Sequence, residues 1–148
     1  MARALLAAIV LVSNVAAAAQ RPVTVDDEMK FRSIVDVKIA PDGQRVAYVV
    51  STPSLTKDEH EGALYIVSAT GGTPTRLGES IRIFNPTAPA PRLRWSPDGS
   101  MLALLAFAGE RPQVFAIPLS GAPPRALTDA PEGVSGFDWS PDNGMAKT

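Results

Sequence analysis

Apolar residues in this chain come in short dense runs rather than helical stripes. Arg45-Val46-Ala47-Tyr48-Val49-Val50 and Met101-Leu102-Ala103-Leu104-Leu105-Ala106-Phe107 are the clearest. Both have strand length and are bounded by turn residues. Each follows a copy of one turn, Ala40-Pro41-Asp42-Gly43 and Ser96-Pro97-Asp98-Gly99, and a third copy is Ser140-Pro141-Asp142-Asn143-Gly144. Before the three turns stand Val35-Asp36-Val37-Lys38-Ile39, Arg92-Leu93-Arg94-Trp95 and Gly136-Phe137-Asp138-Trp139. Pro presets φ, Asp bonds nearby backbone and Gly tolerates positive φ. The pattern therefore predicts a hairpin at each copy.

A second element recurs behind the hairpin. Ala63-Leu64-Tyr65-Ile66-Val67, Gly71-Gly72-Thr73-Pro74 and Arg76-Leu77 align with Gln113-Val114-Phe115-Ala116-Ile117, Gly121-Ala122-Pro123-Pro124 and Ala126-Leu127. The first repeat is six residues longer, and the charged stretch 56–62 takes the excess as a loop. Four short strands per unit, at a period of ~45–55 residues, are the pattern of a propeller blade. A β-sandwich that reuses a turn is the alternative. The expected fold is all-β: a partial β-propeller of about two four-stranded blades plus the start of a third, with a short N-terminal helix. The expected boundaries are a signal peptide at 1–19, a lead-in at 20–34, blades at 35–80 and 81–130, and the start of a third blade at 131–148. Thr24 can cap the helix with Asp27 three residues on, and the acids 26–28 suit its positive end. That helix is expected to dock on the propeller rim.

The first residues read as an address. A short positive start with Arg3, an uncharged apolar run from Ala4 to Val12 and small residues Ala16-Ala17-Ala18-Ala19 form the three-part layout of a secretory signal. The run is shorter than the ~20 residues a membrane span needs. A secreted or periplasmic protein, free of the membrane after cleavage, is the expectation.

Composition then closes off chemistry. Fourteen Lys+Arg against fifteen Asp+Glu leave no large basic surface, so nucleic acid is not an expected partner. No Cys means no disulfide, thiolate nucleophile or Cys-based metal site, and one His excludes multi-histidine metal sites.

Residues 24–142 together resemble the start of a mature prolyl oligopeptidase-family serine peptidase, nearest its acylaminoacyl-peptidase and dipeptidyl-peptidase branch. The likeness rests on the acidic helix, Pro41-Asp42-Gly43 leading to Arg45-Val46-Ala47-Tyr48-Val49-Val50, and the Ala63-Leu64-Tyr65 strand. It continues through Arg94-Trp95-Ser96-Pro97-Asp98-Gly99-Ser100, Pro112-Gln113-Val114-Phe115 and Phe137-Asp138-Trp139-Ser140-Pro141-Asp142. The resemblance implies a propeller lid that admits short peptides to a following α/β-hydrolase domain, whose Ser sits on a Gly-x-Ser-x-Gly elbow. It thus implies a peptide substrate of the parent enzyme and a hydrolase domain or subunit outside this chain as partners.

No residue here qualifies as catalytic, cofactor-binding or metal-ligating, and no cofactor is expected. Gly133-Val134-Ser135-Gly136-Phe137 has its second Gly one residue early, and Gly78-Glu79-Ser80-Ile81-Arg82 lacks it. Ser135 and Ser80 therefore fail as nucleophiles. His60, in Asp58-Glu59-His60-Glu61, is expected solvated in a polar loop. Trp95 and Trp139 are expected to pack between blades, and Arg76 and Arg125 to pair with backbone or acids near equivalent turns. The expected function is a propeller piece of a secreted serine peptidase, inactive alone and truncated before the catalytic domain. The rivals are a TolB-like periplasmic protein-binding propeller and a nonfunctional gene remnant.

Overall fold

A computed structural model describes residues 21–84 and 92–140 and the backbone of 145–147. The expected signal peptide and the core of the third Pro-Asp turn lie outside the described residues. After a helix α1 (Val25–Glu28), strands β1 (Ser33–Ile39), β2 (Arg45–Ser54), β3 (Glu59–Ser68) and β4 (Thr75–Leu77) form one antiparallel sheet in chain order. Strands β5 (Arg94–Trp95), β6 (Met101–Ala108), β7 (Arg111–Pro118) and β8 (Arg125–Ala126) repeat it. A third sheet begins with β9 (Phe137–Trp139) and β10 (Met145–Lys147). The chain is a partial propeller of two four-stranded blades and the opening of another.

The repeat holds atom by atom at its turns. The Gly43 amide donates to the Ala40 carbonyl and the Gly99 amide to the Ser96 carbonyl, both at 2.9 Å. Their φ values of +69° and +68° are why glycine stands there. Asp42 Oδ1 accepts the Gln44 amide at 2.9 Å, and Asp98 Oδ1 accepts the Ser100 amide at 3.0 Å. One position differs. The buried Ser96 hydroxyl donates to Asp98 Oδ1 at 2.6 Å and accepts the Met101 amide at 3.1 Å. Ala40 stands in its place in the first copy, where Arg45 Nη2 donates to Asp42 Oδ2 at 3.0 Å instead.

Period-2 alternation sends each strand's residues to two faces. Ala47, Val49 and Leu64 of the first sheet meet Leu93, Trp95, Leu102 and Leu104 of the second, and all are buried. The second sheet's other face, with Ala103, Leu105 and Val114, is covered by Val134 and Phe137. The linker between them is clipped by a satisfied polar network. Gln113 Nε2 donates to the Ala130 carbonyl at 2.8 Å, and its Oε1 accepts Thr128 Oγ1 at 2.6 Å and the Ala130 amide at 3.0 Å.

Two expectations change. The six extra residues do not all fall in a loop. Four of them lengthen strands β2 and β3, which have 10 residues each against 8 in β6 and β7, and two lie in the turn between them. Cross-strand pairing through Ser54↔Glu59 gives the facing backbone groups of those four residues partners, where a loop would leave them to water. The helix starts as read: the Thr24 amide and hydroxyl donate to Asp27 Oδ2 at 3.1 and 2.9 Å, and Arg21 clamps the same carboxylate at 2.6 and 2.7 Å. At four residues, however, it buries none of them, so it lays no face on the rim.

Hydrogen bonds hold three carboxyls below the ordinary range: Asp98 chiefly through the Ser96 hydroxyl, Asp42 chiefly through the Gln44 amide, and Asp27 chiefly through Arg21. A depressed folded pKa contributes stability above the unfolded value, near ~3.9, and that contribution is lost as pH falls through the folded value. Melting temperatures taken stepwise from neutral pH should fall below about pH 4, and Asp98→Asn should flatten that fall. A second expected outcome concerns Gly133, which has φ +81° and whose added Cβ would lie 2.9 Å from Pro112 Cδ. Gly133→Ala should lower stability by about 1–3 kcal/mol in a denaturant titration.

Candidate functional site

Polar contacts concentrate where the first strands of the two sheets approach. Asp36 of β1 is buried, and its Oδ2 accepts the Leu93 amide at 3.0 Å while Lys38 Nζ sits 3.0 Å from Oδ1. Two residues along, the Lys38 carbonyl accepts Trp95 Nε1 at 3.0 Å. The Arg45 guanidinium lies 5.3 Å from the Trp95 ring centroid and donates to the Gly99 carbonyl at 3.2 Å. Trp95 therefore packs between blades, as read from the sequence. Trp139 packs on the next core, against Leu105 and Phe137, and its Nε1 has no partner among the described residues.

The other polar region is the long β2–β3 hairpin with residues 79–83. Together they wall a groove of 390 Å³ that Glu59, His60, Glu61, Arg76, Ser80 and Arg82 help to line. Arg82 stacks 4.0 Å from the Phe107 ring centroid and lies 3.8 Å from Glu59, which ties this crossing segment to both sheets. Glu61 pairs with Lys57 and raises the pKa of its ammonium. The groove carries both signs of charge on exposed side chains.

His60 corrects one expectation. It lies in strand β3 opposite Pro53, not in a loop, with Nδ1 3.1 Å from the buried Ser51 hydroxyl. Its side chain is exposed, as expected. Ser80 shares the groove with His60, but no hydrogen bond joins them among the described residues. Ser135 is exposed in the linker entering β9, and among the described residues no histidine or carboxylate is bonded to it. Neither serine sits at the strand-to-helix turn that activates a nucleophilic Ser. No cluster of three or more metal-ligating side chains occurs among the described residues.

Arg76 and Arg125 also depart from expectation. They pair in register with Tyr65 and Ala116, one residue out of step between repeats, so they occupy opposite faces of their sheets. Both are exposed on outermost strands and, among the described residues, neither has an acid or carbonyl partner. Sequence reasoning missed Asp36 and Gln113 as the polar groups that join elements. Asp36 shares its strand with Ser33 and Lys38, and Gln113 with Arg111, so no local signal set either apart.

Residues 4–140 match Gmad1, the lipoprotein LpqB β-propeller domain. The chain belongs to this propeller family. Its description points to an envelope or extracellular setting, and no described helix is long and apolar enough to cross a membrane. The chain is also similar to the uncharacterized peptidase YuxL of Bacillus subtilis, 39% identical over 123 residues. That match covers 81% of this chain and 18% of YuxL, so the chain spans about a fifth of that relative's length. Among solved structures, Pyrococcus horikoshii acylaminoacyl peptidase matches with TM-score 0.61 at 21% identity, over 78% of this chain and 17% of that one. The β-propeller domain of the trilobed protease from Pyrococcus furiosus matches with TM-score 0.58 at 20% identity, over 78% of this chain and 32% of that one. The resemblance to peptidase propellers drawn from the sequence is borne out.

The seam yields its own expected outcome. Asp36→Ala leaves the Leu93 amide without an acceptor at a fully buried residue and should cost about 1–3 kcal/mol. Asp36→Asn keeps an acceptor and should cost less. Chemical denaturation followed by Trp emission measures both.

Proposed function

We propose that this chain is the N-terminal propeller portion of an exported serine peptidase, and that it gates the access of short peptides to a hydrolase domain outside these residues. The observation that carries this reading is the 39% identity with a peptidase over 81% of the chain. Geometry supports it. The sheets are bonded along their first strands, through Asp36, Lys38, Leu93 and Trp95, so those strands form the hub from which the blades fan out. Further sheets added by the same contact would set first strands around a central channel. The polar, mixed-charge groove at the hairpin end suits the termini and backbone of a peptide better than an apolar ligand. Hydrolysis itself would need a Ser, His and carboxylate from elsewhere, acting through an acyl-enzyme.

The test is the intact mass of the natural protein together with the DNA downstream of codon 148. The expected result is a product several-fold heavier than 15.6 kDa, with a Gly-x-Ser-x-Gly segment and a late His in frame. The isolated 148-residue chain should leave short peptides uncleaved. A natural product no heavier than 15.6 kDa with no such continuation overturns the reading.

A further inference from the structure

Strand β3 keeps part of its outer edge open. Successive strand residues turn their backbone groups alternately to one neighbour and to the other. The Ala69 amide donates to the Gln44 carbonyl, so odd-numbered residues of β3 face β2 and even-numbered ones face outward. On that outer side β4 covers Leu64 and Ile66, in register with Leu77 and Thr75. At Gly78, with φ +61°, the chain turns off the edge. The amides and carbonyls of His60 and Gly62 are left pointing outward, and among the described residues none of the four has a hydrogen-bond partner. Both residues line the 390 Å³ groove.

The repeat supplies an internal comparison. Val114 and Pro112 of β7 stand where Leu64 and Gly62 stand in β3. There the Leu127 amide donates to the Val114 carbonyl at 2.7 Å, and the Val114 amide donates to Thr128 Oγ1 at 3.0 Å. The Val134 amide takes the Pro112 carbonyl at 2.8 Å, and Pro112 has no amide to leave open. The second copy thus blunts its edge with a covering linker and a proline. The first copy has neither. Its linker crosses to the second sheet instead, where the Phe84 amide donates to the Leu105 carbonyl at 2.9 Å. Gly62 also carries no side chain to hold another backbone away.

We propose that this edge binds an extended peptide by strand addition, antiparallel to β3 and in line with β4. One peptide residue exchanges both backbone bonds with Gly62, and the residue two along does so with His60. The walls set Lys57, Arg76 and Arg82 against Glu59, Glu61 and Glu79, so no net charge selects among peptides. Recognition falls on the backbone, which unstructured peptides present and folded chains mostly use up internally. This inference deepens the peptide reading of the groove and rests on it, but it needs no hydrolase domain.

The experiment is residue-resolved hydrogen–deuterium exchange on the full-length natural protein, first treated with a serine-reactive fluorophosphonate so that the probe survives. The probe is a capped five-residue peptide of alternating Thr and Val, added in steps to about 1 mM. Without it the His60 and Gly62 amides should exchange fast, and the Val114 amide slowly. With about nine sites in ten filled, the first two should slow about tenfold. Methylating alternate peptide nitrogens leaves one edge able to pair and should keep the effect, whereas methylating all of them should abolish it. Gly62→Pro should abolish the slowing at His60, and Pro112 shows that a strand of this repeat accepts proline there. The methylated peptides need no variant and keep the test decisive if Gly62→Pro misfolds. No slowing at the highest concentration overturns the proposal, and so does slowing that survives full methylation. Slow exchange at both amides before peptide is added, as a segment of a longer polypeptide seated on the edge would give, overturns it too. Peptide cleavage by the untreated protein with no change at these amides sinks strand addition alone. Slowing without any cleavage supports strand addition and counts against the peptidase reading.

Discussion

The Leu93 amide opens the second sheet at a fully buried position, and it has one acceptor, the Asp36 carboxylate of the first sheet. An amide stripped of water without a partner costs about 1–3 kcal/mol, so this bond fixes where the two sheets meet. Asp36 is held in turn by Lys38, whose carbonyl anchors the Trp95 indole. The cation–π contact of Arg45 adds only ~0.5–1 kcal/mol at this exposure, which makes it a refinement of a seam already set. Apolar burial supplies most of the free energy, but it is non-directional, and the polar bonds choose the register.

That register carries everything outward from the hub. With the first strands fixed, Ala47, Val49 and Leu64 face Leu102, Leu104 and Ile117, and the long β2–β3 hairpin projects at one end. The crossing segment bridges back there, with Arg82 between Glu59 and Phe107. The groove is a consequence of hairpin length. Four extra strand residues and two in the turn lengthen this hairpin and place Glu59, His60 and Glu61 on a strand. Side chains held on a strand are positioned more precisely than side chains on a loop.

The two copies of the unit use one backbone turn with different side-chain chemistry. Ser96 and Asp98 close the second turn internally, whereas Asp42 and Arg45 close the first and leave Arg45 free to reach the Gly99 carbonyl of the neighbouring turn. The first turn, which has Ala40 in place of a hydroxyl, is thereby joined to the neighbouring blade through Arg45. A repeat can thus diverge at a turn while its hydrogen-bond geometry stays constant.

By itself the sequence determined the strands, their turns and their repetition, because each depends on neighbours in the chain. Pro-Asp-Gly needs only local backbone preferences, and alternating apolar residues need only a period of two. Peptidase kinship was legible for the same reason, as an ordered string of local motifs. Only the tertiary structure decided which polar residues matter. Asp36 and Gln113 look like ordinary strand residues until a chain segment many residues away brings an amide or a carbonyl to them. It also decided that His60 stands on a strand, and that Val37 and Ile39 are bare where Leu93 and Trp95 are buried. Burial and pairing belong to two segments at once, and no local pattern encodes the distance between them.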